Sequence, residues 1–127
     1  MKAITEEMLK IYKPLSNLDW MNYKLVNNKL TNHHIVKRED GGSSKIHNLA
    51  LLTNIAHSYL HIIEYKDIKT YDTINKLFKY INNQRHEPTQ EQRELIEYLL
   101  LEFEEQHLED KNSKGKLLIR KPYLKRW

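Results

Sequence analysis

Five of the seven histidines in this 127-residue chain lie between Thr31 and His61, four of them in two pairs. His57 and His61 are four residues apart. On a helix that spacing puts both imidazoles on one face, within reach of a common ion or phosphate. A zincin-type metal helix is excluded, because it needs Glu directly after the first His and position 58 is Ser. His33 and His34 are adjacent. Neighbours in a strand point to opposite faces, so one ring can bind a metal while the other faces elsewhere. Phosphodiester hydrolysis needs such a division. Attack on phosphorus is in line, so the activated water and the leaving oxygen lie on opposite sides. A general base serves the water and a metal stabilises the leaving oxygen. Taken alone, His57 and His61 read as a polar helix face. His33-His34 alone reads as two partly exposed strand residues.

The elements that must position these residues follow from pattern. Lys29 to Val36 reads as extended, with Leu30, Ile35 and Val36. Lys37 to His47, holding Gly41-Gly42 and Ser43-Ser44, reads as a loop. Leu49 to Leu52 suits a short buried strand. Thr53 or Asn54 can cap a helix running to about Tyr65, with Ala56, Tyr59, Leu60 and Ile63 at helical spacing. A second helix fits Tyr71 to Ile81 and ends at Asn82-Asn83. Thr89 and Gln92 form a capping-box pattern before a third helix that buries Leu95, Ile96, Leu99, Leu100 and Phe103. The other face of that helix carries Glu91, Glu94, Glu97, Glu102, Glu104, Glu105 and Glu109, and reads as solvated. Upstream, Thr5 with Glu6 and Glu7 predicts a short capped helix that stops before Pro14. Leu15 to Met21 reads as a connector, with Leu18 and Trp20 turned inward.

The ordered set resembles the HNH endonucleases, members of the ββα-metal or His-Me finger nucleases. Its residues are His33-His34-Ile35-Val36-Lys37-Arg38-Glu39-Asp40-Gly41-Gly42, then Asn48-Leu49-Ala50-Leu51-Leu52, then His57-Ser58-Tyr59-Leu60-His61. The likeness covers roughly Leu30 to Glu64. It implies an α+β fold: a ββα-metal core at 29–66, with flanking helices and a mostly helical remainder. Residues 1–28 would be an N-terminal segment, 67–110 a helical extension and 111–127 a basic tail, all in one nuclease domain. By the same resemblance His34 is the general base, and Asn48 holds the base in place through backbone hydrogen bonds. His33, His57 and His61 would hold one divalent cation. Imidazoles suit zinc, nickel or manganese, while the family often works with magnesium. The implied activity is metal-dependent hydrolysis of DNA, leaving 5′-phosphate and 3′-hydroxyl ends. Many relatives brace this core with a Cys-x-x-Cys zinc site. This chain has no cysteine, so packing must do that work.

The charge distribution fits the same partner, or simply a solvated tail. The net charge is +4. All 17 acidic residues precede position 111, and the last 17 residues hold seven Lys or Arg. Lys37, Arg38 and Lys45 flank the site, and Lys116, Arg120 and Lys121 lead the tail as further phosphate contacts. Such contacts give affinity and salt dependence without sequence choice. The expected ligand is double-stranded DNA. Two other readings fit the same features. One is a nucleic-acid-binding module without catalysis. The other is a phage or mobile-element accessory protein that docks a partner through the acidic helix 91–110. No apolar run is long enough to span a bilayer, and the first residues lack the apolar stretch of a secretory signal. A cytoplasmic location is the expectation.

Overall fold

The computed structural model describes residues 3–26 and 28–107. Lys116, Arg120 and Lys121, with the rest of the basic tail, lie outside the described residues. Among the described residues the architecture is α+β: four α-helices and one two-stranded antiparallel hairpin. Helix α1 is Ala3–Tyr12, strand β1 Leu30–His34 and strand β2 Leu49–Thr53. Helix α2 is Asn54–Lys66, α3 Ile68–Gln84 and α4 Gln90–His107.

An isolated two-stranded hairpin is marginal in water. Here helices cover both of its faces. β1 pairs with β2 so that His33 opposes Ala50 and His34 opposes Leu49. Alternation along β1 sends Asn32 toward α1, where its amide donates to Thr5 Oγ1 at 2.8 Å. It sends His33 the other way, toward α3. Every residue of β2 is buried, as an unbroken Leu-Ala-Leu-Leu run requires when both faces are covered.

The core gathers around Trp20. Its ring meets Tyr12 edge-on at 5.1 Å and Phe78 at 5.8 Å. The Tyr12 hydroxyl donates to the Asn82 carbonyl, which joins α1 to the end of α3. Asp19 is buried beside Trp20, and its carboxylate accepts from the backbone N–H groups of Met21, Tyr23 and Thr53. Burial pushes its pKa up, and these bonds oppose the rise. The connector 15–21 is thereby tied to the residue that starts α2.

Several expectations are corrected by packing. Thr5 is not a helix cap. The helix has already begun at Ala3, and Thr5 is buried against Asn32. Helix α3 runs on through Asn82-Asn83 to Gln84, where Arg85 takes a left-handed backbone with φ 65°. Asn82 is buried, and its amide donates to the carbonyls of Ile46 and Leu49. In α4, Ile96, Leu100 and Phe103 are buried, but Leu95 is 45% exposed. Glu104 leaves the solvated face: it is buried and accepts from the Tyr59 hydroxyl. Leu18 is only half-buried. Among the described residues, no helix is long and apolar enough to cross a membrane.

Candidate metal and catalytic site

The loop between the strands is built around Asn48. This residue is 4% exposed and makes three hydrogen bonds with its amide. Its oxygen accepts from Val36 N at 2.9 Å, and its nitrogen donates to Val36 O at 2.9 Å and Ser43 O at 2.8 Å. The ends of the loop are thus pinned to the foot of β2. Two glycines make this possible in different ways. Gly41 has φ 92°, a left-handed conformation that L side chains resist. Gly42 has ordinary φ, but a Cβ there would lie 1.8 Å from Val36 O and 2.8 Å from Asn48 Nδ2.

His34 stands at the end of β1, beside this loop, with Nε2 3.0 Å from Ser44 Oγ. Burial lowers its pKa, and the Arg38 charge lowers it further. The ring is therefore neutral at neutral pH, the state a general base requires.

On the opposite face of β1, His33, His57 and His61 form a row. The His33 and His57 rings meet edge-on at 5.5 Å, and His57 and His61 stack at 4.9 Å with 25° between planes. His33 is 3% exposed and lies between His57, Tyr71 and Phe78. Burial is the main cause that brings its pKa down to about 4. The side-chain amide oxygen Oδ1 of Asn75 accepts from its Nε2 at 2.8 Å, so that nitrogen carries the proton.

The helix histidines carry theirs on the other nitrogen. Thr31 Oγ1 donates to the Leu52 carbonyl at 3.0 Å and lies 2.9 Å from His57 Nδ1. A hydroxyl has one proton, so His57 donates from Nδ1 and keeps its lone pair on Nε2. His61 Nδ1 lies 3.3 Å from Glu64 Oε1. A carboxylate only accepts, so Nδ1 of His61 is the donor and Nε2 is its other, outward nitrogen. Metal-binding histidines commonly have their other nitrogen held by an oxygen in this way. When neutral, His57 and His61 therefore each keep an Nε2 lone pair, the state a metal ligand needs. His33 has the opposite arrangement: its Nε2 is held by Asn75, which leaves its lone pair on Nδ1. Among the described residues, no group of three or more His, Asp or Glu side chains is arranged to hold a metal ion.

The charge of His34 contributes to lowering the His57 pKa, after burial and the His61 charge. The two faces of β1 thus belong to one electrostatic neighbourhood. Of the cations that flank the site, Lys37 forms an ion pair with Glu64. Arg38 and Lys45 are exposed. His47 is exposed on the loop, within 3.4 Å of Ser43 Oγ. His86 is exposed as well. His107 is half-buried, ring against Phe103 and 3.0 Å from Asp67.

Thr31, Ser44, Glu64 and Asn75 were not assigned roles from sequence. Thr31 had a signal, since it lies two residues before His33 and so on the same strand face. Asn75 had none, because only folding brings α3 to β1. No protein-family model, curated protein or solved structure matches the chain.

Proposed function

We propose that this protein is a metal-dependent HNH endonuclease that hydrolyses DNA phosphodiester bonds. One observation carries the reading: a strand, a loop pinned by Asn48, a second strand and a helix carry His34, Asn48, His57 and His61 in that order. That is the order and company the HNH resemblance implies, on a ββα-like hairpin and helix.

His34 acts as the base. In the tautomer that donates Nε2–H to Ser44 Oγ, its Nδ1 lone pair takes the proton from the attacking water. Asn48 keeps the strand end and loop in register, so the base holds its position. His57 and His61 present Nε2 for one divalent cation. When bound, it supplies charge stabilisation to the departing 3′-oxygen. Arg38 and Lys45 meet flanking phosphates. Lys37 does so once it exchanges Glu64 for phosphate.

The test is supercoiled plasmid with wild-type protein and His34→Ala, in magnesium, manganese, nickel or EDTA. Wild type is expected to cut with metal and not in EDTA, and His34→Ala to lose at least 100-fold, within the usual range for a general base. An uncut plasmid under every metal would leave the binding-module reading in its place. Equal cutting by His34→Ala would remove His34 from the chemistry.

A further inference from the structure

A large groove lies on the His34 side of β1. It has a volume of about 1090 Å³ and lies between α1, the residues Leu25, Asn28 and Lys29, and the hairpin. Ile4, Leu25 and Leu30 give it half-buried apolar walls. Thr5 and Asn32, bonded to each other, also line it. Lys29 and Arg38 are exposed in its lining, with His34 and Ser44. The lining contains no carboxylate, although the chain carries 17 acidic residues.

We infer that this groove holds a single strand of DNA, with an unpaired nucleotide against the apolar walls and its phosphates on Lys29 and Arg38. The inference rests on the nuclease reading for the role of His34. Charge selects a polyanion: two cations and no carboxylate repel nothing along a phosphodiester chain. The apolar walls select the strand. A duplex turns its base faces inward and shows only phosphate, sugar and base edges. An unpaired strand offers base faces for an apolar wall to cover. The volume lies slightly above the range of about 300–1,000 Å³ typical of small-molecule pockets, which suits a nucleotide with its flanking phosphates. Lys29 becomes a DNA contact, and α1 becomes one wall of the substrate site. The strand then passes His34 where the water must be activated.

The test is fluorescence anisotropy in EDTA, so that nothing is cut. Probes are a short labelled single strand and its blunt duplex, each titrated with full-length wild type and Lys29→Glu. Circular dichroism checks that the variant is folded. The wild type is expected to bind the strand more tightly than the duplex. Lys29→Glu is expected to weaken strand binding several-fold and to flatten its salt slope by about 0.7, the value of one lost phosphate contact. Tighter binding to duplex, or unchanged affinity and slope in Lys29→Glu, would overturn the inference. Plasmid cutting reports separately on the nuclease reading. Cutting with unaltered Lys29→Glu binding sinks the groove alone; strand binding through Lys29 without cutting sinks the nuclease alone.

Discussion

Thr31 sets the tautomer of His57. Its hydroxyl proton goes to the Leu52 carbonyl, so the contact 2.9 Å away must be donated by His57 Nδ1. A strand residue thereby decides which nitrogen a helix residue offers to the site. Thr31→Val keeps the shape and removes the acceptor. Nickel affinity, measured by isothermal titration calorimetry, is expected to fall about 10–100-fold. Thr31→Ser should restore it. Unchanged affinity in Thr31→Val would show that His57 needs no such partner.

Asn48 holds three backbone groups, so its loss should be felt in both stability and activity. Asn48→Ala strands Val36 N, Val36 O and Ser43 O near the foot of β2. The expected cost is about 2–4 kcal/mol in urea unfolding. Asn48→Asp keeps the acceptor for Val36 N but turns a carboxylate oxygen toward two carbonyls, and should be no better. Plasmid cutting should fall in both, while nickel binding through His57 and His61 persists. Parallel loss of nickel binding would mean that Asn48 supports the whole site rather than the loop.

The two glycines separate backbone strain from steric exclusion. Gly41→Ala meets open space but sits at φ 92°, and should cost about 1 kcal/mol. Gly42→Ala drives a methyl into the Val36 carbonyl at 1.8 Å. Backbone must move, and Asn48 loses its bond geometry, for about 1–3 kcal/mol. Thermal melts of the two variants give the order. A smaller loss in Gly42→Ala would contradict the loop packing.

Burial of His33 makes stability depend on pH in a defined window. Its native pKa is about 4, below the unfolded value near 6.5. Between those values the unfolded chain binds more protons, so stability rises with pH. The contribution is full above pH 6.5 and is lost as pH falls toward 4. Urea unfolding in EDTA should show a loss of up to about 3 kcal/mol over that interval. His33→Gln, which keeps an amide donor for Asn75, should flatten the slope. A stability profile flat from pH 7 to 4 would mean that His33 is not held neutral by burial.

Much of the scaffold was legible because its signals are local. Thr53 accepts from Ala56 N as the cap of α2. Thr89 and Gln92 exchange the two bonds of a capping box. The α2 face of Ala56, Tyr59, Leu60 and Ile63 is buried as its spacing predicts. The misreadings share a cause. Thr5, Asn82 and Glu104 each carry a side chain whose usual use is a cap, a stop or a solvated face. Each found a distant partner instead: Asn32, the carbonyls of Ile46 and Leu49, and Tyr59. A buried hydrogen bond to a partner far along the chain outweighs a residue's local habit, because leaving that partner unpaired is costly.

The sequence by itself determined the histidine order, the hairpin and helix that carry it, and the side of β1 to which each of His33 and His34 belongs. Those follow from two short-range periods, 2 for strands and 3.6 for helices. Tertiary structure alone decided the chemistry left to each ring. It buried His33 against Asn75, gave Thr31 to His57 and Glu64 to His61, and opened a groove beside His34. Periodicity says which way a side chain points. Only the packed neighbours settle its proton, its pKa and its free lone pair, because burial and hydrogen bonding come from residues far away in sequence.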